Sequence, residues 1–307
     1  MSLDLYVNET NRHADYVLPT TTFLEREDVP LALAPFFTTP FIQVTEPVLE
    51  PAGESRQEWE IIDALARRVG VAPYSAAPLR WGARFGVRPT PRRLVDLLLR
   101  RAGLSFARLR DRHPHGLVLD EWIETGVLEK KVRHKGRRLQ LMPEAIKEEL
   151  VRLAAADGDD PAFPLRLIGL RELRSHNSWM HNSPLLMRGG RTHALRIHPQ
   201  DAAALSLEDG GVARVESKSG AVEVPVSVTD EMTRGTVALP HGWGHRGGWR
   251  LANEHGGANS NVLASSDPDD LERLAGMAHL NGIPVRVAPV SAGVAPAAAA
   301  QEPAPVA

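Results

Sequence analysis

One short stretch of the sequence concentrates hydrogen-bonding side chains: residues 175–183, Ser-His-Asn-Ser-Trp-Met-His-Asn-Ser. It follows the apolar run Pro164–Leu170, which has the composition of a buried strand, and it precedes Arg188-Gly-Gly. A connecting loop does not need two His, two Asn and three Ser within nine residues. The pattern indicates either an unusually polar turn or a loop whose donors and acceptors bind a ligand.

A second polar region comprises Pro240–Trp249, which is rich in Gly and contains two His and two Trp, and Glu254–Val262, which contains one His, two Gly and two Asn. Glycine lets the backbone approach a ligand closely, while His, Asn and Trp supply hydrogen bonds and a flat stacking face. Together with the first stretch, this set of residues suits a planar heterocycle that carries phosphates.

Three other chemistries are compatible with parts of the chain. His241 and His245 have the i, i+4 spacing of zinc ligands, but the glycines around them disfavour the helix that this spacing requires. Ser, His and Asp are plentiful enough for a hydrolase triad, yet no G-x-S-x-G motif is present. The basic run Lys130–Arg138 could bind nucleic acid with a steep salt dependence, but it contains no aromatic residue, which favours a solvated turn. We therefore predict neither a metal site nor nucleic-acid binding.

Composition restricts the class of protein. The 307 residues are 43% hydrophobic and 24% charged with a formal net charge of −2, which is typical of globular domains and gives no global attraction to nucleic acid or anionic membranes. There is no cysteine, so this chain cannot form disulfides, thiolate zinc sites or Cys-ligated iron–sulfur clusters. No signal peptide and no run of about 20 apolar residues is evident, which predicts a cytoplasmic protein without a membrane span; a folded protein exported with a partner subunit would look the same.

The first half of the chain is expected to contain an α/β fragment and a helical region. We predict a partial, Rossmann-like α/β domain over residues 1–75 and a helical connecting region over residues 76–160. Strands are predicted at Leu3–Val7 and Tyr16–Leu18. A first helix opens with a capping box at Ser55–Glu58 and ends at Gly70, and its apolar face carries Trp59, Ile62, Ala66 and Val69. A second helix starts at Thr90-Pro91 and ends at Gly103, with Leu94, Val95, Leu98 and Leu99 on its apolar face, and a third starts at Pro143, with Ile146, Leu150 and Leu153 on its apolar face.

The second half reads as a β-barrel over residues 161–290, after a boundary at Asp157–Pro161 and before a disordered Ala/Pro-rich tail at 291–307. A hairpin at Lys218–Gly220 and a short helix at Pro199–Ala204 complete the prediction. The predicted strands are Leu165–Leu170, Ala194–Ile197, Val212–Ser217, Ala221–Val228, Thr236–Leu239 and Pro284–Val287.

Several motifs, in order, resemble the bis-molybdopterin-guanine-dinucleotide oxidoreductases, the family of formate dehydrogenase, nitrate reductase and dimethyl sulfoxide reductase. Thr10–Asp15 and Val17–Glu25 resemble the family's T-x-x-x-A-D-x-V-L-P and T-x-L-E segment, and Gly53–Trp59 with Leu65-Ala66 its next helix. Residues that resemble the molybdopterin dinucleotide-binding domain are Pro164–Leu170, Ile197–Ala202, Leu207–Gly210, Val215–Gly220, Val228–Asp230, Gly235–Val237 and Ala258–Leu263.

The resemblance implies a mixed α/β fragment followed by a double-psi β-barrel that binds one molybdopterin guanine dinucleotide with molybdenum or tungsten. No iron–sulfur cluster is implied in this chain, and no residue is assigned as catalytic or as a metal ligand. The residues implied to bind the cofactor are Ser175, His176, Asn177, Ser178, His181 and Asn182 on one wall, and His241, Trp243, Asn259 and Asn261 on a second.

Family members are about twice this length or more, and their first half commonly carries the iron–sulfur motif. The resemblance therefore implies the C-terminal part of a molybdenum or tungsten oxidoreductase, without turnover by itself, whose partner is the missing N-terminal half or a companion subunit. The alternative is a stand-alone, non-enzymatic barrel that carries a cofactor or binds a partner. The genomic sequence just upstream discriminates the two, because only the split or broken enzyme predicts a Cys-rich half in frame.

Overall fold

The computed structural model describes residues 1–33, 36–120, 126, 128–155, 160–247 and 250–290. The chain divides into two compact units, one formed by residues 1–7 and 11–139 and the other by residues 8–10 and the chain from Gln140 onward. The predicted boundaries at residues 75 and 160 stay predictions. Most of the Asp157–Pro161 boundary and the whole predicted tail at 291–307 lie outside the described residues.

The first unit combines short strands with helices. Its strands are β1 (Ser2–Asp4), β2 (Val17–Pro19), β3 (Phe41–Ile42) and β4 (Leu117–Val118); β1 pairs with β2 in parallel, and β3 with β4 antiparallel. Its helices are α1 (Glu58–Val69), α2 (Ala77–Arg84), α3 (Pro91–Leu99), α4 (Phe106–Arg112) and α5 (Leu128–Lys131). A small apolar core joins Ile42, Val44, Leu99, Leu104, Phe106 and Leu109. A Rossmann-like origin for this unit stays a prediction.

Helix α1 begins two residues later than the sequence indicates. The capping box is formed by Gln57 and Glu60, whose carboxylate accepts the Gln57 backbone N–H at 3.1 Å, so the prediction of Ser55 and Glu58 is wrong. The later start is accompanied by a different buried face, on which Ile61 is buried while Ile62 is exposed. The predicted end is confirmed, because Gly70 adopts the left-handed φ of 78° that closes the helix.

The other two predicted helices are present. In α3, the Thr90 side chain accepts the Arg93 N–H, and a 3-10 turn continues the helix to Gly103. The third is α6 (Glu144–Ala155), in the second unit, and its apolar residues Ile146, Leu150 and Leu153 are exposed. Helices α2, α4 and α5 are not expected from the sequence pattern, and α5 includes Lys130 and Lys131 of the run that favours a turn.

The barrel prediction is confirmed. Among the described residues, six strands close into a barrel: β5 (Leu165–Leu170), β6 (Leu195–Ile197), β7 (Val212–Glu216), β8 (Ala221–Val228), β9 (Thr236–Pro240) and β10 (Ile283–Pro289). Their order around the barrel is β10-β5-β9-β6-β8-β7. In the described parts of the connections lie three short α-helices: α7 (Pro184–Met187), α8 (Pro199–Ala204) and α9 (Leu251–Glu254). The Lys218–Gly220 hairpin joins β7 to β8, as predicted, since Glu216 pairs with Ala221.

The barrel closes because its strands carry apolar residues at alternate positions. This alternation is clearest in β7, where Ala213 and Val215 are buried, and in β8, where Val222 and Val224 are buried. The core is composed chiefly of Leu, Ile and Val from all six strands, with Leu263 from the long β9–β10 connection. In the described part of the chain, no helix has the length and apolar character needed to cross a bilayer.

Core packing of the barrel gives the first prediction. Leu195 in β6 is 0% exposed, so we expect Leu195→Ala to leave a cavity and to lower the free energy of unfolding by about 2–5 kcal/mol. Leu185, which is 64% exposed, provides the matched control, and Leu185→Ala should change the free energy of unfolding by less than about 0.5 kcal/mol. Urea unfolding followed by far-UV circular dichroism measures both, and equal effects would contradict the assignment of the core.

Candidate functional site

The strand pairing brings the polar segments to one end of the barrel. Because β5 and β9 are parallel, with Leu170 opposite Pro240, the segments that follow them leave the barrel side by side. We call residues 171–183 the polar turn and residues 240–247 the glycine loop. Since β6 runs antiparallel to β9, the segment that leads into β6 reaches the same end.

The tip of the polar turn has an unusual backbone. His176 and Asn177 have consecutive positive φ angles of 44° and 61°, which non-glycine residues rarely adopt. Asn177 Oδ1 accepts hydrogen bonds from Arg171 at 2.9 Å and from His241 Nε2 at 3.0 Å, and the ring of His176 meets that of Trp179 edge to face. His176, Asn177 and Trp179 are exposed. Strained, exposed turns of this kind cluster at ligand sites.

Glycines let the backbones of neighbouring segments touch. A Cβ at Gly242 would overlap the carbonyl group of Asn177, and one at Gly244 would overlap the backbone at Ala258 and Asn259. Both glycines also have positive φ angles, of 87° and 78°. The glycine loop is therefore packed between the polar turn and the segment around Asn259, and it joins them by backbone contact.

Beneath the tip lies a polar cluster, formed by Glu172, Ser175, His181, Arg191 and Trp243, in which Ser175, His181 and Trp243 are buried and Glu172 and Arg191 are half-buried. Arg191 Nη2 donates to Ser175 Oγ at 2.5 Å and to Glu172 Oε2 at 3.0 Å. Trp243 Nε1 donates to the same Glu172 oxygen at 2.8 Å, and His181 Nε2 is hydrogen-bonded to Ser175 Oγ at 2.9 Å. The cluster joins the polar turn, the segment before β6 and the glycine loop.

Burial controls the charge of the histidines in this region. Desolvation, followed by the nearby Arg191 and His245, lowers the pKa of His181 from 6.5 to about 4, so the ring is neutral at pH 7. Burial also lowers the pKa of His193. His193 Nδ1 accepts the Ala258 N–H at 3.2 Å, so its Nε2–H donates to the Pro240 carbonyl at 2.8 Å. His193 thus fixes the start of the glycine loop.

Some buried nitrogen atoms at this end lack a partner. His181 Nδ1, Asn182 Nδ2 and His255 Nε2 have no hydrogen bond within the described part of the chain. Asn182 uses its Oδ1 to accept the Ala252 N–H at 2.9 Å, at the start of α9. An unsatisfied buried polar atom costs about 1–3 kcal/mol, so these three atoms indicate a polar ligand or bound water.

The structure brings the predicted residues of the two walls together in part. Ser175, His181 and Trp243 are buried within the protein, whereas His176 and Asn177 are exposed at the tip, and Ser178, Asn182 and His241 are half-buried. Asn259 and Asn261 are exposed, and Asn259 Oδ1 accepts the Asn261 N–H at 3.0 Å. Contact of these residues with a ligand stays a prediction.

Sequence reasoning missed Glu172, Arg191 and His193. A signal for two of them exists, because Arg191, His193, Leu195 and Ile197 alternate as the inward-facing side of an extended segment. Glu172 has no such signal, since its partners are remote in sequence. His241 and His245 have different hydrogen-bond partners: His241 bonds to Asn177, and His245 to the Gly242 carbonyl. Across the described ranges, no three His, Cys, Asp or Glu side chains are grouped as they would be to hold a metal ion.

Comparison with known proteins gives a family match within each of the two units. Residues 165–279 match the family model of the molybdopterin dinucleotide-binding domain, and residues 1–68 match that of molybdopterin oxidoreductases. This chain belongs to the molybdopterin oxidoreductase family. Its barrel is the family's dinucleotide-binding domain, which implies a molybdopterin cofactor.

The relatives are much longer than this chain. The dimethyl sulfoxide/trimethylamine N-oxide reductase of Rhodobacter capsulatus is 26% identical, and the match covers 80% of this chain and 32% of that protein. The F420-dependent formate dehydrogenase subunit alpha of Methanocaldococcus jannaschii is 24% identical, over 88% of this chain and 36% of that one. The structure of acetylene hydratase from Pelobacter acetylenicus has the same fold over 92% of this chain and 39% of its own, with a TM-score of 0.59 and 23% identity. The chain thus spans about a third of the length of these relatives.

Contact between the backbones of Gly242 and Asn177 gives the second prediction. Gly242→Ala should lower the free energy of unfolding more than Gly210→Ala, because both positions have a positive φ but a Cβ at Gly210 meets open space. The backbone strain alone costs about 1 kcal/mol, and the clash at Gly242 should add at least as much again. Urea denaturation of both variants tests this, and equal losses would show that the loops do not touch.

The buried neutral His181 gives the third prediction. Its pKa is about 4 when folded and about 6.5 when unfolded, so the unfolded state takes up the proton first as the pH falls. The contribution of neutral His181 to the free energy of unfolding is therefore complete above pH 6.5. It is lost as the pH falls from 6.5 to 4, by up to about 3 kcal/mol. His181→Gln should flatten this part of the curve of unfolding free energy against pH, measured with urea at each pH. Replacement of the exposed His279 by Gln is the control and should retain the wild-type curve.

Proposed function

We propose that the barrel binds one molybdopterin guanine dinucleotide across the polar turn, the glycine loop and the segment around Asn259. The observation that carries this proposal is the strained tip at His176 and Asn177, held by His241 and by backbone contact with Gly242. The family match supports the ligand class, because the binding domain spans residues 165–279, which include all three segments.

The burial of the candidate residues separates those proposed to contact the ligand from those proposed to support the loops. The residues proposed to contact the ligand lie at the surface of the site: His176, Asn177, Ser178, His241, Asn259 and Asn261. Ser175, His181 and Trp243 are buried and are proposed to hold the loops beneath them. Asn182 contributes through its unpartnered Nδ2.

The residues present fit a polar, planar group. Asn and His side chains donate to heterocycle edges and phosphate oxygens, and the backbone at Gly256, where a Cβ would meet nothing within 4 Å, admits close approach. When bound, the cofactor supplies a molybdenum or tungsten centre for two-electron or oxygen-atom transfer, while the protein orients it and controls access of water. No described residue of this chain is assigned a step in that chemistry.

Two finer features belong to the same proposal. The parallel pairs β5–β9 and β6–β8 within a closed barrel are compatible with double-psi topology. This chain covers only about a third of the length of its relatives, which supports the proposal that it is the C-terminal part of a longer oxidoreductase. A preceding half or a companion subunit would complete that enzyme. We propose that catalysis belongs to that complete enzyme.

The fourth prediction tests the cofactor. The chain, expressed with its completing half or subunit in a host that makes the cofactor, should carry molybdenum or tungsten and release a fluorescent pterin after oxidation. His176→Ala combined with Asn177→Ala should reduce both at least tenfold, because about 1–3 kcal/mol is lost with each hydrogen-bonding group. Metal content is measured by mass spectrometry and pterin by fluorescence.

A matched pair elsewhere on the barrel controls for nonspecific effects. His279→Ala combined with Gln200→Ala also removes an exposed His and an exposed amide. This control should keep wild-type metal and pterin content. Wild-type metal and pterin content in the His176→Ala/Asn177→Ala variant would show that the polar turn has only a structural role. Absence of pterin from the wild-type assembly would refute the proposed function.

A further inference from the structure

The Glu172 carboxylate occupies a position that the family match does not assign. Its Oε2 atom accepts from Trp243 Nε1 at 2.8 Å and from Arg191 Nη2 at 3.0 Å, and Ser175 Oγ lies 3.4 Å away. These partners belong to the glycine loop, the segment before β6 and the polar turn. One side chain thereby connects three segments that are as much as 71 residues apart.

We propose that Glu172 is a positioning residue, whose negative charge locks the polar turn to the glycine loop so that both are held in place for the cofactor. The inference rests on the proposed function, since that function names what the two segments receive. It goes beyond that function because Glu172 lies beneath the proposed contact residues and is not one of them.

Charge and burial explain why a carboxylate is required. The side chain of Arg191 is only 8% exposed, so its guanidinium needs a nearby anion, and Glu172, at 24% exposed, supplies it. The indole N–H of Trp243, a residue that is 2% exposed, needs an acceptor for the same reason. Arg191 also lies 5.7 Å from the Trp243 ring, which adds a cation–π attraction between the same segments.

The geometry separates this lock from the core of the barrel. The core consists of apolar side chains, chiefly from the six strands, and none of the five residues of the polar cluster belongs to it. Loss of the Glu172 charge should therefore loosen the loops and leave the strands closed. Loss of this charge should loosen the glycine loop as much as the polar turn, even though Glu172 belongs to the polar turn alone.

The fifth prediction follows from this coupling. In the cofactor-free full chain, Glu172→Gln should speed amide hydrogen exchange about tenfold both in residues 173–183 and in residues 241–247, with no change in β7 and β8. Trp243→Phe, which removes the indole donor, should produce the same pattern. The double variant should be no faster than either single variant, because both break the same connection.

A second Arg–Glu pair on the barrel provides the control. Glu231 lies 3.2 Å from Arg196, before β9 and away from the polar segments, and its side chain is 73% exposed. Glu231→Gln should leave exchange in both segments at the wild-type rate. Faster exchange confined to residues 173–183 in Glu172→Gln would overturn the lock, because it would show that Glu172 only stabilises its own turn.

Cofactor release completes the test. In the loaded assembly, Glu172→Gln should release pterin about tenfold faster than the wild type, while Glu231→Gln should not. An unchanged release rate despite loosened loops would overturn the positioning role. Because exchange is measured without cofactor, a wild-type assembly that lacked pterin would refute the proposed function while exchange still decided whether Glu172 locks the loops.

Discussion

Parallel pairing of β5 with β9 is the constraint on which the rest of this site depends. Two parallel strands end at the same edge, so the segments that follow Leu170 and Pro240 emerge side by side although they are 70 residues apart. Antiparallel pairing of β6 with β9 brings the Arg191 and His193 segment to the same place. The barrel thus gathers three polar segments at one end, while its apolar core remains below them.

Contacts between these segments work at two levels. At the surface, the left-handed backbone of His176 and Asn177 is held by the His241 hydrogen bond and by the bare backbone of Gly242. Below it, the half-buried Glu172 carboxylate accepts hydrogen bonds from Arg191 and from the buried Trp243. The buried polar groups therefore set the geometry, and the exposed amides and imidazoles remain available to a ligand. This division explains why so polar a stretch directly follows a strand of the barrel.

Sequence patterns predicted the barrel well because alternation of apolar residues directly reports which side of a strand faces the core. β5 and β8 have the predicted bounds, and the hairpin at Lys218–Gly220 and helix α8 are as expected. Prediction was poorer in the helices. In α1, Gln57 rather than Ser55 is the capping residue, and Ile61 rather than Ile62 is buried. The apolar residues of α6 are exposed, so their spacing alone did not show what they pack against.

The sequence by itself determined the family, the barrel and the polar turn, because ordered motifs and strand periodicity are local properties of the chain. Only the tertiary structure decided which polar side chains are buried. Ser175 and His176 are neighbours of similar polarity, yet one is sealed against Arg191 and the other is exposed. Glu172 gained its role in the same way, since its partners Arg191 and Trp243 come from segments that meet only when the barrel closes. Burial and long-range pairing depend on the whole fold, and no short stretch of sequence encodes them.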